Sequence, residues 1–267
     1  MNNKEIKLVL LDLDGTLLNA ESELPLDFEE VIDKLHEIGV HVGIATGRNF
    51  GTLKLLLNGL EKKLDLITCN GAGVHVSGNL VSSTYIPEDE VKQVLDTFYS
   101  KRKNGYYIVV MRDDVFFSTP DHSLNEYYFT KHFAIEISDD LYKNISCITA
   151  MCVDTPNNIN KAPLEMFKDF KGNLIFSDGG FGAINIQSSL TSKGIGAKKM
   201  CEHLGIDINN VMALGDAGND LELLSTVGYP VAMKNALEEV KKICKDITSK
   251  TNKDNGCLDY LRSFFNL

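Results

Sequence analysis

The chain has no block of lysine and arginine, no long apolar run and no closely spaced cysteine pair. Its 267 residues carry 37 acidic against 27 basic side chains, a formal net charge of −10 at pH 7. Binding nucleic acid through the phosphate backbone needs a positive surface, so this balance argues against such a partner. Acidic charge mainly favours solubility. No apolar stretch approaches the roughly 20 residues of a membrane-spanning helix, and Met1-Asn2-Asn3-Lys4-Glu5 lacks the apolar core of a secretory signal. A cytoplasmic location without a membrane partner is expected. The six cysteines, Cys69, Cys147, Cys152, Cys201, Cys244 and Cys257, show neither C-x-x-C spacing nor the density of a disulfide framework, and read as small buried hydrophobes. The six histidines, His122 and His132 among them, have no metal-ligand spacing and read as surface or polar-core residues. Internal repeats and low-complexity tracts are also missing.

At this length a single core stops growing, so two domains are expected. The first third alternates strand-like and helix-like patterns: a strand over Lys7 to Leu11, an amphipathic helix over Pro25 to Ile38, a strand over Val40 to Ala45, a helix after Arg48 and a strand over Leu64 to Cys69. Such alternation predicts parallel crossovers and a doubly wound sheet. A hairpin follows, with Val74 to Val76 and Leu80 to Ser82 flanking Ser77-Gly78-Asn79. From Pro87 the pattern changes. A helix to Lys101, paired runs at Tyr106 to Met111 and Val115 to Phe117 joined by Asp113-Asp114, a helix over Leu124 to His132, and strands near Ile145 to Val153, Asn173 to Phe176 and Phe181 to Gln187 predict an α+β module on an antiparallel sheet. Asp139-Asp140 reads as a helix start, and Tyr127-Tyr128-Phe129 with Phe116 and Phe117 as the core of this module. After Ser192 the β/α alternation returns. The expected organisation is therefore an α/β doubly wound core of residues 1–86 and 189–267, with an α+β domain of residues 87–188 inserted into it.

Four segments just past predicted strands carry polar chemistry, at the end where doubly wound sheets bind ligands. In Asp12-Leu13-Asp14-Gly15-Thr16, continued strand geometry would hold two carboxylates on one side, where their repulsion calls for a cation or a shared proton. An Asp-rich turn is the plain alternative. Ala45-Thr46-Gly47-Arg48 offers a hydroxyl and backbone amides suited to a phosphate oxygen, or a helix cap. Thr191-Ser192-Lys193-Gly194 places a lysine in a first helical turn, where the helix dipole disfavours it; a bound anion would account for it, as would plain solvation. Gly215-Asp216-Ala217-Gly218-Asn219-Asp220 crowds two acids and an amide into a glycine-rich loop, suited to a magnesium site or to a capped helix entry.

Taken together with Asn70-Gly71-Ala72 and Val231-Ala232-Met233-Lys234-Asn235-Ala236, these segments resemble the haloacid dehalogenase superfamily of phosphohydrolases, and within it the Cof-type branch. The resemblance spans nearly the whole chain and implies a Rossmann-like core with an inserted cap. It implies Asp12 as the nucleophile that forms an aspartyl-phosphate and Asp14 as general acid and base. Magnesium would be held by the Asp12 carboxylate, the Asp14 backbone carbonyl and Asp216. Leu13, Thr46, Gly47, Lys193 and Asn219 would contact phosphate, and Asp220 would support the metal or orient Lys193. Where the branch commonly has an acidic residue and a proline before the lysine motif, this chain has Asn185-Ile186-Gln187-Ser188-Ser189, so no cap-side carboxylate carries over. The implied activity is a magnesium-dependent phosphatase of small phosphorylated metabolites, sugar phosphates foremost. A hexose-phosphate phosphomutase and a non-catalytic phosphometabolite-binding protein are the alternatives. The sequence gives no oligomeric state.

Overall fold

The fold was analysed in a computed structural model that describes residues 5–103, 105–112, 115–118, 135–154, 162–180 and 183–267. Asp113-Asp114, the expected helix over Leu124 to His132, Tyr127-Tyr128-Phe129, His122 and His132 lie outside the described residues. Two compact units emerge. One comprises Met1–Arg48, Leu56–Ser82 and Ser192–Leu267; the other comprises Asn49–Leu55 and Ser83–Thr191.

The first unit is built on eight strands: β1 (Leu8–Leu11), β2 (His41–Ala45), β3 (Asp65–Thr68), β4 (Gly73–Val76), β5 (Asn79–Ser83), and later in the chain β12 (Val211–Gly215), β13 (Tyr229–Ala232) and β14 (Asp246–Ile247). Their order across the sheet is β14-β13-β12-β1-β2-β3-β4-β5. The pairs from β14 through β3 are parallel, and β3 with β4 is antiparallel. Every residue of β1 is buried, as expected for a central parallel strand covered on both faces. Helix α1 (Phe28–Glu37) packs beside β2, and its Phe28, Val31, Ile32 and Leu35 recur at helical spacing and all are buried. Helix α2 (Phe50–Leu57) follows β2, and most of it belongs to the second unit. The C-terminal segment adds α5 (Lys193–Leu204), α6 (Leu221–Thr226), α7 (Glu238–Ile243) and α8 (Gly256–Phe265).

The second unit holds β6 (Tyr107–Met111), β7 (Phe116–Ser118), β8 (Ile135–Ile137), β9 (Ala150–Asp154), β10 (Leu174–Gly180) and β11 (Ala183–Ser188), in the order β10-β11-β9-β6-β7-β8. All pairs are antiparallel except β7 with β8, which is parallel and departs from the expected pattern. Helices α3 (Glu88–Lys101) and α4 (Ala162–Met166) accompany this sheet. Val91, Val94, Leu95 and Phe98 of α3 join Ile108, Val110, Met151, Val153, Ile184 and Ile186 of the strands in one apolar core. Asp140 caps a short helical turn by accepting from Tyr142 N at 3.1 Å, and Phe116 and Phe117 are buried. Among the cysteines, Cys69, Cys201 and Cys257 are buried; Cys152 and Cys244 are half-buried, and Cys147 is exposed, contrary to the expected burial of all six.

Candidate active site

Parallel register lines up the carboxyl ends of four neighbouring strands. Leu11 pairs with Leu214 on one side and Ile44 on the other, and Ala45 pairs with Ile67, so Asp12, Thr46, Cys69 and Asp216 each begin a turn at the same edge of the sheet. Chain order runs outward from β1 through β2 and β3 on one side and through β12 and β13 on the other. The crevice between β1 and β12 is the switch point where such sheets bind ligands.

Asp12 follows the last strand residue and is buried. Lys193 Nζ donates to its Oδ1 at 2.5 Å and to Asp220 Oδ1 at 2.6 Å, and the lysine is fully buried. Ser192 caps α5 by accepting from Ile195 N at 3.0 Å, which fixes the turn that presents Lys193. The bound anion anticipated for this lysine is supplied by the protein's own carboxylates. Burial alone would push its ammonium down, but Asp12 and Asp220 outweigh that and hold it above its usual value.

Asp220 Oδ2 accepts from Asp216 N at 2.9 Å and Ala217 N at 3.0 Å. It therefore shapes the loop, while its other oxygen accepts from Lys193. Asp216 Oδ1 accepts from Thr16 Oγ1 at 2.8 Å. Gly15 makes room for this contact. Its φ is +91°, and a Cβ there would lie 2.5 Å from Asp216 Oδ2.

Carboxylate oxygens of Asp12, Asp216 and Asp220 all lie within 4.8 Å of one another. Three acids against one lysine leave an excess of negative charge. Burial pushes Asp12 up to about 8 against the pull of Lys193, with Asp220 and Asp216 adding repulsion, and Asp216 is raised by burial as well. A hard divalent cation that prefers oxygen ligands fits this donor set.

Asp14 lies beyond the strand whose alternation was expected to set it beside Asp12. The strand ends at Leu11, and Leu13–Leu17 form a tight turn in which Asp14 (φ −83°, ψ 111°) and Gly15 leave helical geometry. Alternation no longer applies there. Asp14 is exposed and accepts from Arg48 Nε at 2.9 Å and from an Arg48 terminal nitrogen at 2.5 Å. Leu13 is buried, and its carbonyl accepts from Leu18 N at 2.9 Å, closing that turn.

Thr46 is buried with its hydroxyl accepting from Arg48 N at 3.1 Å, so it caps its own turn. Gly47 sits beside the Asn70 side chain. Asn219 Nδ2 donates to Asn70 Oδ1 at 3.2 Å, which joins two loops 149 residues apart. Reading by residue type missed Arg48, Thr16, Asn70 and Asn235 as contributors. Asn235 Nδ2 donates to Gly15 O at 2.8 Å and thereby pins the turn after the first strand. All four lie inside the recognised segments, which was the available signal.

Residues 9–261 match the family model of the haloacid dehalogenase-like hydrolases, a span that takes in every site residue above. The chain belongs to this family. It is a Cof-type haloacid dehalogenase-like hydrolase of the phosphatase class, as its motifs led us to expect. A protein of Streptococcus pyogenes serotype M6 is 30% identical over 97% of this chain and 98% of its own length. A 5-amino-6-(5-phospho-D-ribitylamino)uracil phosphatase of Bacillus subtilis is 28% identical, covering 97% of this chain and 98% of its own. In three dimensions, a haloacid dehalogenase-like hydrolase from Bacteroides thetaiotaomicron matches 97% of this chain and 100% of its own, with a TM-score of 0.84 at 23% identity, a likeness of fold. Among the described residues no helix is long and apolar enough to cross a membrane.

Proposed function

We propose that this hydrolase is a magnesium-dependent phosphatase of small phosphorylated metabolites, sugar phosphates among them, working through an aspartyl-phosphate on Asp12. The observation that carries the reading is the buried contact of Lys193 with Asp12 and Asp220 beside Asp216. A general structural ion pair gains little from a third clustered acid, whereas a site for a cation and a phosphate needs one.

In this reading an Asp12 oxygen bonds phosphorus as the bond to the leaving oxygen breaks, and Asp14 gives that oxygen a proton. Water then attacks phosphorus, passing a proton to Asp14, and the bond to Asp12 breaks. Lys193, Thr46, Gly47, Asn219 and the backbone at Leu13 hold phosphate oxygens and offset the charge that develops on them. Magnesium, held by Asp12, Asp216 and the Asp14 backbone carbonyl, would supply electrostatic relief between the acids and the phosphate. Asp220 supports the site by fixing Lys193 and the loop that bears Asp216.

We assign residues 1–86 and 189–267 to the catalytic core and 87–188 to an inserted cap domain. The substrate class agrees with the small phosphorylated compound for which the Bacillus subtilis relative is named. A cytoplasmic location belongs to the same reading, in keeping with six free thiols. Release of inorganic phosphate from a panel of sugar phosphates and from p-nitrophenyl phosphate, with and without magnesium, tests it. Wild-type turnover that Asp12→Asn abolishes is the expected result; full activity in that variant would sink the mechanism.

A further inference from the structure

Arg48 and Asp14 make a two-point contact between partly exposed side chains. Arg48 Nε donates to Asp14 Oδ2 at 2.9 Å and a terminal nitrogen to Oδ1 at 2.5 Å, the fork that fixes a carboxylate in orientation as well as distance. The side chains are 33% and 55% exposed, a setting in which an ion pair contributes little to folding.

The two partners are held very differently. Asp14 stands on an irregular turn, followed by Gly15 at φ +91°, and its exposed side chain receives no aim from the backbone. Arg48 has a backbone tied at both ends: its N–H donates to Thr46 Oγ1 at 3.1 Å, and its carbonyl accepts from Cys69 N at 2.9 Å. Cys69, Asn70 and Gly71 follow one another at φ +47°, +50° and +96°, a strained run that persists only where its surroundings enforce it. Rigid backbone thus carries the guanidinium, and the guanidinium carries the carboxylate.

We infer that Arg48 is the positioning residue for Asp14, setting the direction in which that carboxyl meets the reacting oxygens. The inference rests on the phosphatase reading above. Each carboxylate oxygen accepts at two lone-pair positions, so the fork leaves a position on each for the leaving oxygen or for water. Both proton transfers need Asp14 within hydrogen-bond reach, and a misplacement of about 1 Å costs on the order of a hundredfold in rate. The chain order Thr46-Gly47-Arg48 gives this turn a second duty beside phosphate contact.

The test is a double-mutant cycle on p-nitrophenyl phosphate with magnesium, a substrate whose phenolate leaves with little help from an acid, so variants of Asp14 remain measurable. Arg48→Met, Arg48→Lys, Asp14→Asn and the Arg48→Met/Asp14→Asn pair are compared by kcat and KM. Arg48→Met is expected to lower kcat by about tenfold to a hundredfold with KM little changed, Arg48→Lys to lose less, and the double variant to be no slower than Asp14→Asn alone. Three results overturn the assignment: a double variant slower than Asp14→Asn by the full Arg48→Met factor, a rise in KM with kcat intact, or wild-type kcat in Arg48→Met. Failure of the wild-type enzyme to release phosphate, or an unimpaired Asp12→Asn, is a separate outcome that removes the phosphatase reading and this assignment with it.

Discussion

Lys193 Nζ meets Asp12 Oδ1 at 2.5 Å, with both side chains shut away from solvent and 181 positions apart in the chain. The contact ties the end of the central strand β1 to the first turn of α5, and the same ammonium reaches Asp220 at 2.6 Å. Neither partner can leave without stranding the other. A buried charge that loses its partner costs far more than the pair itself contributes.

Lys193→Met is therefore expected to destabilise the protein by about 3–5 kcal/mol and to abolish phosphate release. Urea unfolding should show a lower midpoint with the denaturant slope preserved. A variant as stable as the parent would show that the buried carboxyls do not depend on this lysine.

The metal-free protein should lose stability as pH rises toward 8. Burial raises Asp12 to about 8 from its ordinary 3.8, against the attraction of Lys193 and with the repulsion of Asp220 and Asp216. The folded protein then keeps a proton that the unfolded chain has released. That contribution is fully present below about pH 4 and is lost as pH rises through about 8. Magnesium favours the carboxylate and should expel this proton. Thermal melts without metal are expected to fall between about pH 6 and 8, with saturating magnesium flattening the slope, and calorimetry at pH 7 in two buffers should detect proton release. Proton-neutral magnesium binding would contradict the assignment of this group.

Gly15→Ala should weaken the proposed magnesium site specifically. The added methyl would lie 2.5 Å from Asp216 Oδ2 on a backbone at φ +91°. Displacing a carboxylate at a metal site costs on the order of tenfold or more in metal affinity. The magnesium concentration giving half-maximal phosphate release is expected to rise by about that factor.

Gly71→Ala probes the scaffold behind Lys193. A Cβ at Gly71 would fall 2.0 Å from the Ser192 carbonyl oxygen, and φ there is +96°. Backbone must move on one side or the other, and the combined steric and conformational cost is about 2–4 kcal/mol. Chemical denaturation measures it directly; a loss below about 1 kcal/mol would show that the loop relaxes freely.

Much of the core was legible because parallel strands buried on both faces write themselves as short apolar runs such as Val9 to Leu11 and Val211 to Leu214. The gathering of Asp12, Lys193 and Asp216 followed from their positions just past such runs or at a helix start. Strand alternation is not what positions Asp14 relative to Asp12, since it holds only while the strand continues and this one stops at Leu11. Asp220 was undervalued for a different reason. Its two oxygens serve Lys193 and two backbone amides, and no spacing rule announces a carboxylate shared between a distant lysine and its own loop. The fork between Arg48 and Asp14 was invisible for the same cause, because it joins the turns after two neighbouring strands whose register appears only in the fold.

Asp12 as the nucleophile is the claim on which the rest depends. Acid-quenching the wild-type enzyme during turnover of p-nitrophenyl phosphate with magnesium, followed by peptide mass spectrometry, tests it most directly. The account predicts one phosphoryl group on the peptide that carries Asp12, located on that residue and absent from Asp12→Asn. A phosphoryl group on another residue, or an Asp12→Asn enzyme that still turns over, would contradict it.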